Sequence, residues 1–246
     1  MNTVEASKAV SRVAIAALLC VALAACGTRP PAAPPDGVAP VSATGLWFYF
    51  TDADNDGGSS TIGMELTEEN GTAAFHFAGE VTSLFRWGFA GFGLEPDETT
   101  LELLRLAESV SFMVRGDGQR YSIQLVTDDV TDNAFFWFLF DTVADRPVRV
   151  TVPMRMFVQP DWTEQPVGRL RRELATGLQW QTHESWRPGT FELTVWDVRL
   201  YVPEADAARI STPAAPAVGY LSAAPDSGYG DYGYEGYGYE GYPEYY

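Results

Sequence analysis

His76 and His183 are the only imidazoles in 246 residues, and Cys20 and Cys26 are the only thiols. His76 stands in an alternating stretch, with Ala74, His76 and Ala78 on one side and Phe75 and Phe77 on the other. That is the pattern of an outward-facing strand position. His183 follows Gln179 and Gln181 along one face of a strand whose other face carries Leu178 and Trp180. No Ser-His-Asp spacing, H-E-x-x-H or glycine-rich phosphate loop accompanies them. Two well-placed acids would suffice for a glycosidase, but a pair such as Glu68 and Glu69 points to no shared site. The inventory favours binding over catalysis, and the chain is expected not to be an enzyme.

The strongest metal signal is Asp52-Ala53-Asp54-Asn55-Asp56-Gly57. Hard oxygens on a tight turn suit calcium, and D-x-D-x-D-G opens the EF-hand loop. The twelfth position is Gly63 rather than glutamate and the flanks read as strands, so the EF-hand is rejected. A looser site of Asp52, Asp54 and Asp56 around a structural calcium ion stands beside the plainer reading of a solvated turn. Asp128, Asp129 and Asp132 make a second acidic turn.

The elements that position these groups are β-strands. Short alternating runs at Leu46–Thr51, Ala73–Ala78, Val110–Arg115, Tyr121–Thr127, Ala134–Asp141, Val148–Pro153, Gly177–His183 and Phe191–Tyr201 are separated by turn clusters. This is an all-β pattern, a sandwich or barrel. Gly116-Asp117-Gly118 reads as the turn of a compact hairpin. Short helices are expected after Asp97 as N-cap and over 167–175, the latter ending at Gly177. Strand parity then sends Arg115, Gln124, Trp137, Gln179, Gln181 and His183 to an outer face, with Trp87 or Trp162 added from loops. Amides beside aromatic rings are what a sugar needs, stacking for its apolar face and partners for its hydroxyls. The competing reading of the seven tryptophans is core packing.

The order of motifs from Trp47 to Tyr201 resembles a jelly-roll superfamily, the galactose-binding-like β-sandwich of complex I intermediate-associated protein 30 domains and family 11-type carbohydrate-binding modules. The matching pieces are WFYFTDADNDGGSS at 47–60, WGFAGFGL at 87–94, VSFMVRGDGQRYSIQL at 110–125, VRVTVPMRMF at 148–157 and FELTVWDVRLY at 191–201. The resemblance implies a jelly roll over residues 45–203 that binds carbohydrate, or alternatively a protein-interaction or envelope-assembly module. It also implies a calcium ligand at Asp197. An acidic partner before the first strand is replaced here by Val41-Ser42-Ala43-Thr44.

The termini set an address. Lys8 and Arg12 precede an uncharged apolar run, Val13 to Ala25, shorter than the roughly 20 residues a spanning helix needs. A charged start, a short apolar stretch and small residues describe a signal peptide over 1–25. Leu23-Ala24-Ala25-Cys26-Gly27 resembles the bacterial lipobox, which implies lipidation at Cys26; the alternative is an ordinary signal cut near Ala25. The mature chain then has no thiol, disulfide or cysteine-ligated metal, and depends on a packed core. Residues 26–44 hold the lipidated cysteine and a Pro/Ala-rich linker. Residues 204–246 end in a Tyr/Gly-rich acidic tail with the composition of disorder. Gly27, lacking the aspartate that favours inner-membrane retention, leans the lipid anchor toward the outer membrane of a bacterial envelope, facing periplasm or surface. The net charge of −17, with Lys8 the sole lysine, speaks against nucleic acid, whose binding depends on cations that displace counterions. A glycan or an envelope protein is the expected partner.

Overall fold

A computed structural model describes residues 37–54, 57–84, 88–183 and 188–210. Cys26, Asp56, Trp87 and residues 211–246 lie outside them, as does the Asp54 side chain. The strands are β1 (Val38–Ser42), β2 (Gly45–Thr51), β3 (Thr61–Glu69), β4 (Thr72–Val81), β5 (Ala90–Pro96), β6 (Ser109–Gly116), β7 (Arg120–Thr127), β8 (Phe136–Asp141), β9 (Val148–Pro153), β10 (Ala175–Thr182) and β11 (Gly189–Pro203). Two helices, α1 (Glu98–Leu106) and α2 (Glu204–Arg209), complete them. The strands form two antiparallel sheets, one ordered β3-β4-β11-β6-β9 with β1 also on β11, the other β2-β5-β10-β7-β8. The architecture is a jelly-roll β-sandwich.

Alternation explains the two layers. Val110, Phe112 and Val114 of β6 point inward, as do Tyr121, Ile123 and Leu125 of β7, all at 2% exposure or less. The two strands lie in opposite sheets, so the Gly-Asp-Gly segment is a crossover between layers and not the expected hairpin. Both strands bury one face, and opposed layers let those faces meet. Asp117 fastens the crossover, accepting from Gln119 N (3.0 Å), the Tyr121 hydroxyl (3.1 Å) and Glu192 N (3.1 Å).

An aromatic stack fills the centre. Phe77 and Phe92 lie 3.5 Å apart and 5° from parallel, Phe92 continues to Trp180 at 5.6 Å, and Trp180 to Trp47 at 5.4 Å. Trp47 then stacks on Phe75 at 4.6 Å, while Phe112 meets Trp180 edge-on at 87°. Rings from both sheets therefore interleave.

Asp97 caps α1 as expected, accepting Thr100 N at 2.8 Å, and also takes the Thr44 hydroxyl at 2.5 Å. The helix expected over 167–175 is a single 3-10 turn, Arg172–Leu174. Gly168 sits at φ +85°, outside any right-handed helix. Two stretches gain structure beyond the expected strands. Val38–Ser42, inside the Pro/Ala-rich segment, pairs with β11 from Val38↔Pro203 to Ser42↔Arg199. Glu204–Arg209 forms α2, with Glu204 N bonded to Gly37 O at 2.9 Å.

Five carboxylates tie loops and edges together and give the fold a pH dependence. Partial burial works to raise Asp97, Asp129, Asp132 and Asp197, but hydrogen-bond donors outweigh it and hold all four below the usual range. Asp141 is lowered chiefly by the Arg120 guanidinium. A folded-state value below the unfolded one means the unfolded chain binds more protons, so stability present above about pH 4 is lost as pH falls through the lowered values. Thermal midpoints are expected to hold steady from about pH 7 to 5 and to fall below about pH 4. A midpoint that climbs on acidification would contradict this.

Candidate functional site

The outer face of the five-stranded sheet is built in rows that cross every strand. One row reads Phe48, Gly93, Gln179, Gln124 and Trp137 on β2, β5, β10, β7 and β8. The next reads Phe50, Gly91, Gln181, Ser122 and Leu139. At ~4.8 Å between strands, five strands give a row about 19 Å wide.

Gly91 and Gly93 make this face possible. A Cβ on Gly93 would stand 2.4 Å from Phe48 Cζ, and one on Gly91 2.5 Å from Phe50 Cζ. Phe48, 9% exposed, packs down on bare β5 and meets the more open Phe50 at 6.1 Å, with Phe89 a further 6.1 Å from Phe50. This bank has a readable signature, glycines alternating with Phe92 and Leu94 beside Phe48 and Phe50, yet it was absent from the expected patch.

The floor is polar. Gln124, 7% exposed, donates through Nε2 to Gln181 Oε1 at 2.7 Å and fixes that amide in the rows. Gln179 and Gln181 are half-buried because Trp180, between them, faces the core. On the far bank Trp137 is half-buried, with His183 edge-on at 5.2 Å and Trp162 edge-on at 6.5 Å. Trp162 is 56% exposed. Among the described residues the result is an uncharged trough, amides between two aromatic banks. Arg120 and Asp141 close one end as an ion pair at 2.7 Å.

Five of the six expected patch residues, Gln124, Trp137, Gln179, Gln181 and His183, share this face. Arg115 does not. It lies on β6 in the other sheet and pairs with Glu69 at 2.5 Å. The error follows from reading Gly-Asp-Gly as a hairpin, which would have set β6 beside β7.

Of the expected metal ligands, Asp52 follows β2 of the five-stranded sheet and Asp197 lies in β11 of the other. Asp52 is fully buried at the end of β2, its Oδ1 accepting Ser60 N and its Oδ2 the Ser60 hydroxyl, both at 2.8 Å. It staples the 52–60 loop. Asp54 follows in the same 3-10 turn, and Asp56 lies outside the described residues. Asp197 sits in the other sheet, at a bulge with φ +50°, ion-paired to Arg149 and Arg199. Among the described residues no group of three His, Cys, Asp or Glu side chains is placed to hold a metal.

Comparison with known proteins adds the following. The family model for Complex I intermediate-associated protein 30 (CIA30) matches residues 41–195. The family 11 carbohydrate-binding module of cellulosomal cellulase Lic26A-Cel5E of Clostridium thermocellum is similar in structure, at 12% identity and a TM-score of 0.47, over 68% of this chain and 95% of that one. The family 11 module from Clostridium thermocellum in complex with a β-1,3-1,4-mixed-linked tetrasaccharide is similar at 13% identity and a TM-score of 0.45, over 63% and 87%. A family 30 carbohydrate-binding module gives 12% and 0.42, over 66% and 94%. No curated protein sequence matches the chain.

Proposed function

This chain belongs to the Complex I intermediate-associated protein 30 (CIA30) family, and from that premise we propose a non-catalytic envelope lipoprotein whose sandwich binds a neutral glycan across its five-stranded sheet. The observation that carries the reading is the row Phe48–Gly93–Gln179–Gln124–Trp137. A pyranose ring presents apolar C–H faces and a rim of hydroxyls. Aromatic banks suit the former, and the amides of Gln179 and Gln181 donate to and accept from the latter. The trough offers neutral groups, and the chain as a whole is acidic at −17. Uronate or sulfate chains would be repelled, which selects uncharged polysaccharide.

Affinity electrophoresis through mixed-linkage β-glucan, arabinoxylan and galactomannan, with polygalacturonate as the anionic control, tests this. Retardation by at least one neutral polymer and none by the control is expected. No retardation by any neutral polymer would overturn the reading.

A second reading, a module that docks an envelope protein, draws on the apolar exposure of Met156, Val158 and Trp162 beside the trough. A stoichiometric partner recovered from envelope extracts and lost in Trp162→Ala would favour it.

The anchor belongs to the same proposal. Cys26, outside the described residues, is read as the lipidated N-terminus, preferentially in the outer membrane. Several acyl chains, each CH₂ worth about 0.8 kcal/mol when buried, would hold the chain firmly. Cys26→Ser is expected to move the protein from the membrane fraction to the soluble fraction and to end incorporation of labelled palmitate. Unchanged fractionation would refute lipidation at that residue.

A further inference from the structure

We propose that Asp132 is a positioning residue for Trp162, holding that ring as an arm of the glycan trough outside the sheet. The inference rests on the glycan reading for its ligand, a flat apolar sugar face, but its geometry stands alone. Trp162 belongs to no strand, so backbone ties must set its place. One tie is the reciprocal pair between Val158 and Trp137, Trp137 N to Val158 O at 2.9 Å and Val158 N to Trp137 O at 3.1 Å. The other, beside a Thr131 hydroxyl to Gln165 Oε1 bond at 3.0 Å and a Thr163 N to Pro160 O turn at 3.3 Å, is Asp132. Its Oδ2 accepts the Thr163 hydroxyl at 2.7 Å, Glu164 N at 3.2 Å and Gln165 N at 3.3 Å. Its Oδ1 accepts Ala134 N at 3.1 Å, just before β8. Trp162 lies between the two ties. One carboxylate thus joins the segment bearing Trp162 to the approach of the strand bearing Trp137.

The rings meet at 82°. In that edge-on arrangement Trp162 does not lie flat over Trp137. Left in water, an exposed indole gains by collapsing onto apolar surface. The Asp132 turn opposes this, so a ligand meets an arm already in place and does not have to order it.

The experiment is a double-mutant cycle on the full chain, using the neutral polysaccharide that retards the parent most. Trp162→Ala and Asp132→Ala are each expected to weaken binding about fivefold or more, and the double variant no further than either single one, because both remove the same arm. Near-UV circular dichroism supplies an independent readout, since the perpendicular Trp137–Trp162 pair should contribute a signal lost alike in both single variants. Additive losses, or a pair signal that survives Asp132→Ala, would overturn the proposal. If no polysaccharide retards the parent, the glycan reading fails and the positioning claim is judged on the dichroism alone. A lowered thermal midpoint in Asp132→Ala leaves the cycle valid when it is measured well below that midpoint.

Discussion

Trp137→Ala is expected to weaken glycan binding by at least about tenfold, roughly 1.4 kcal/mol, while moving the thermal midpoint by only a few degrees. The separation follows from where the ring sits. Trp137 is half-buried on the outer face of β8 and takes no part in the central stack. Its rings meet His183 and Trp162 nearly at right angles, and the half-buried indole keeps part of its surface open to a ligand. Binding surfaces concentrate their energy in a few such aromatic anchors. Trp137→Phe should recover part of the loss, because a smaller ring still offers a flat face. Titration by calorimetry with matched thermal melts checks both. An unchanged affinity in Trp137→Ala would remove that bank from the site.

The neighbouring strand carries the opposite case. Trp180→Ala is expected to cost about 3–5 kcal/mol of folding stability. At about 2–4 °C per kcal/mol for a domain of this size, the midpoint falls by roughly 6–20 °C. Trp180 is fully buried and touches rings from both sheets, so its removal opens a cavity where the layers interlock. Its indole Nε1 is buried without a hydrogen-bond partner. Trp180→Phe also removes that orphan donor but keeps a ring in the stack, and should cost distinctly less than alanine because the cavity is smaller. Chemical denaturation of the three chains measures the order. Equal losses for phenylalanine and alanine would contradict this order. Because Gln179 and Gln181 flank Trp180 on the same strand, the alanine variant should also loosen the trough floor.

Much of this face is legible in the alternation of single strands. Leu178 and Trp180 set the parity of β10 and send Gln179 and Gln181 outward, and Phe136 with Phe140 does the same for Trp137. Alternation says nothing about which sheet a strand joins. Arg115 was misplaced for that reason, since an outer position on β6 and one on β7 read alike until the layers are known. β5 escaped because Gly91 and Gly93 have no side chains to alternate, although their emptiness is what seats Phe48 and Phe50. β3 escaped because it is a solvated edge of threonine and glutamate with Leu66 left 46% exposed. β1 hides in Val-Ala-Pro-Val-Ser, where composition suggests a spacer and only the pairing with β11 makes a strand. The acidic loop illustrates the converse. Its spacing suggests calcium; that the buried Asp52 accepts from Ser60 is a contact no local motif announces.

In the proposed complex a neutral glycan lies across the five-stranded sheet between the phenylalanine and tryptophan banks. Backbone and side-chain amide NMR of the full chain, titrated with a soluble oligosaccharide of whichever neutral polymer retards it, tests that most directly. Shifts are expected to be confined to the outer-face rows of β2, β10, β7 and β8, with the side-chain amides of Gln179 and Gln181 and the Trp137 indole N–H among the largest. Shifts centred on the other sheet, around Arg115, Asp197 and Arg149, would contradict it, as would a titration that moves nothing.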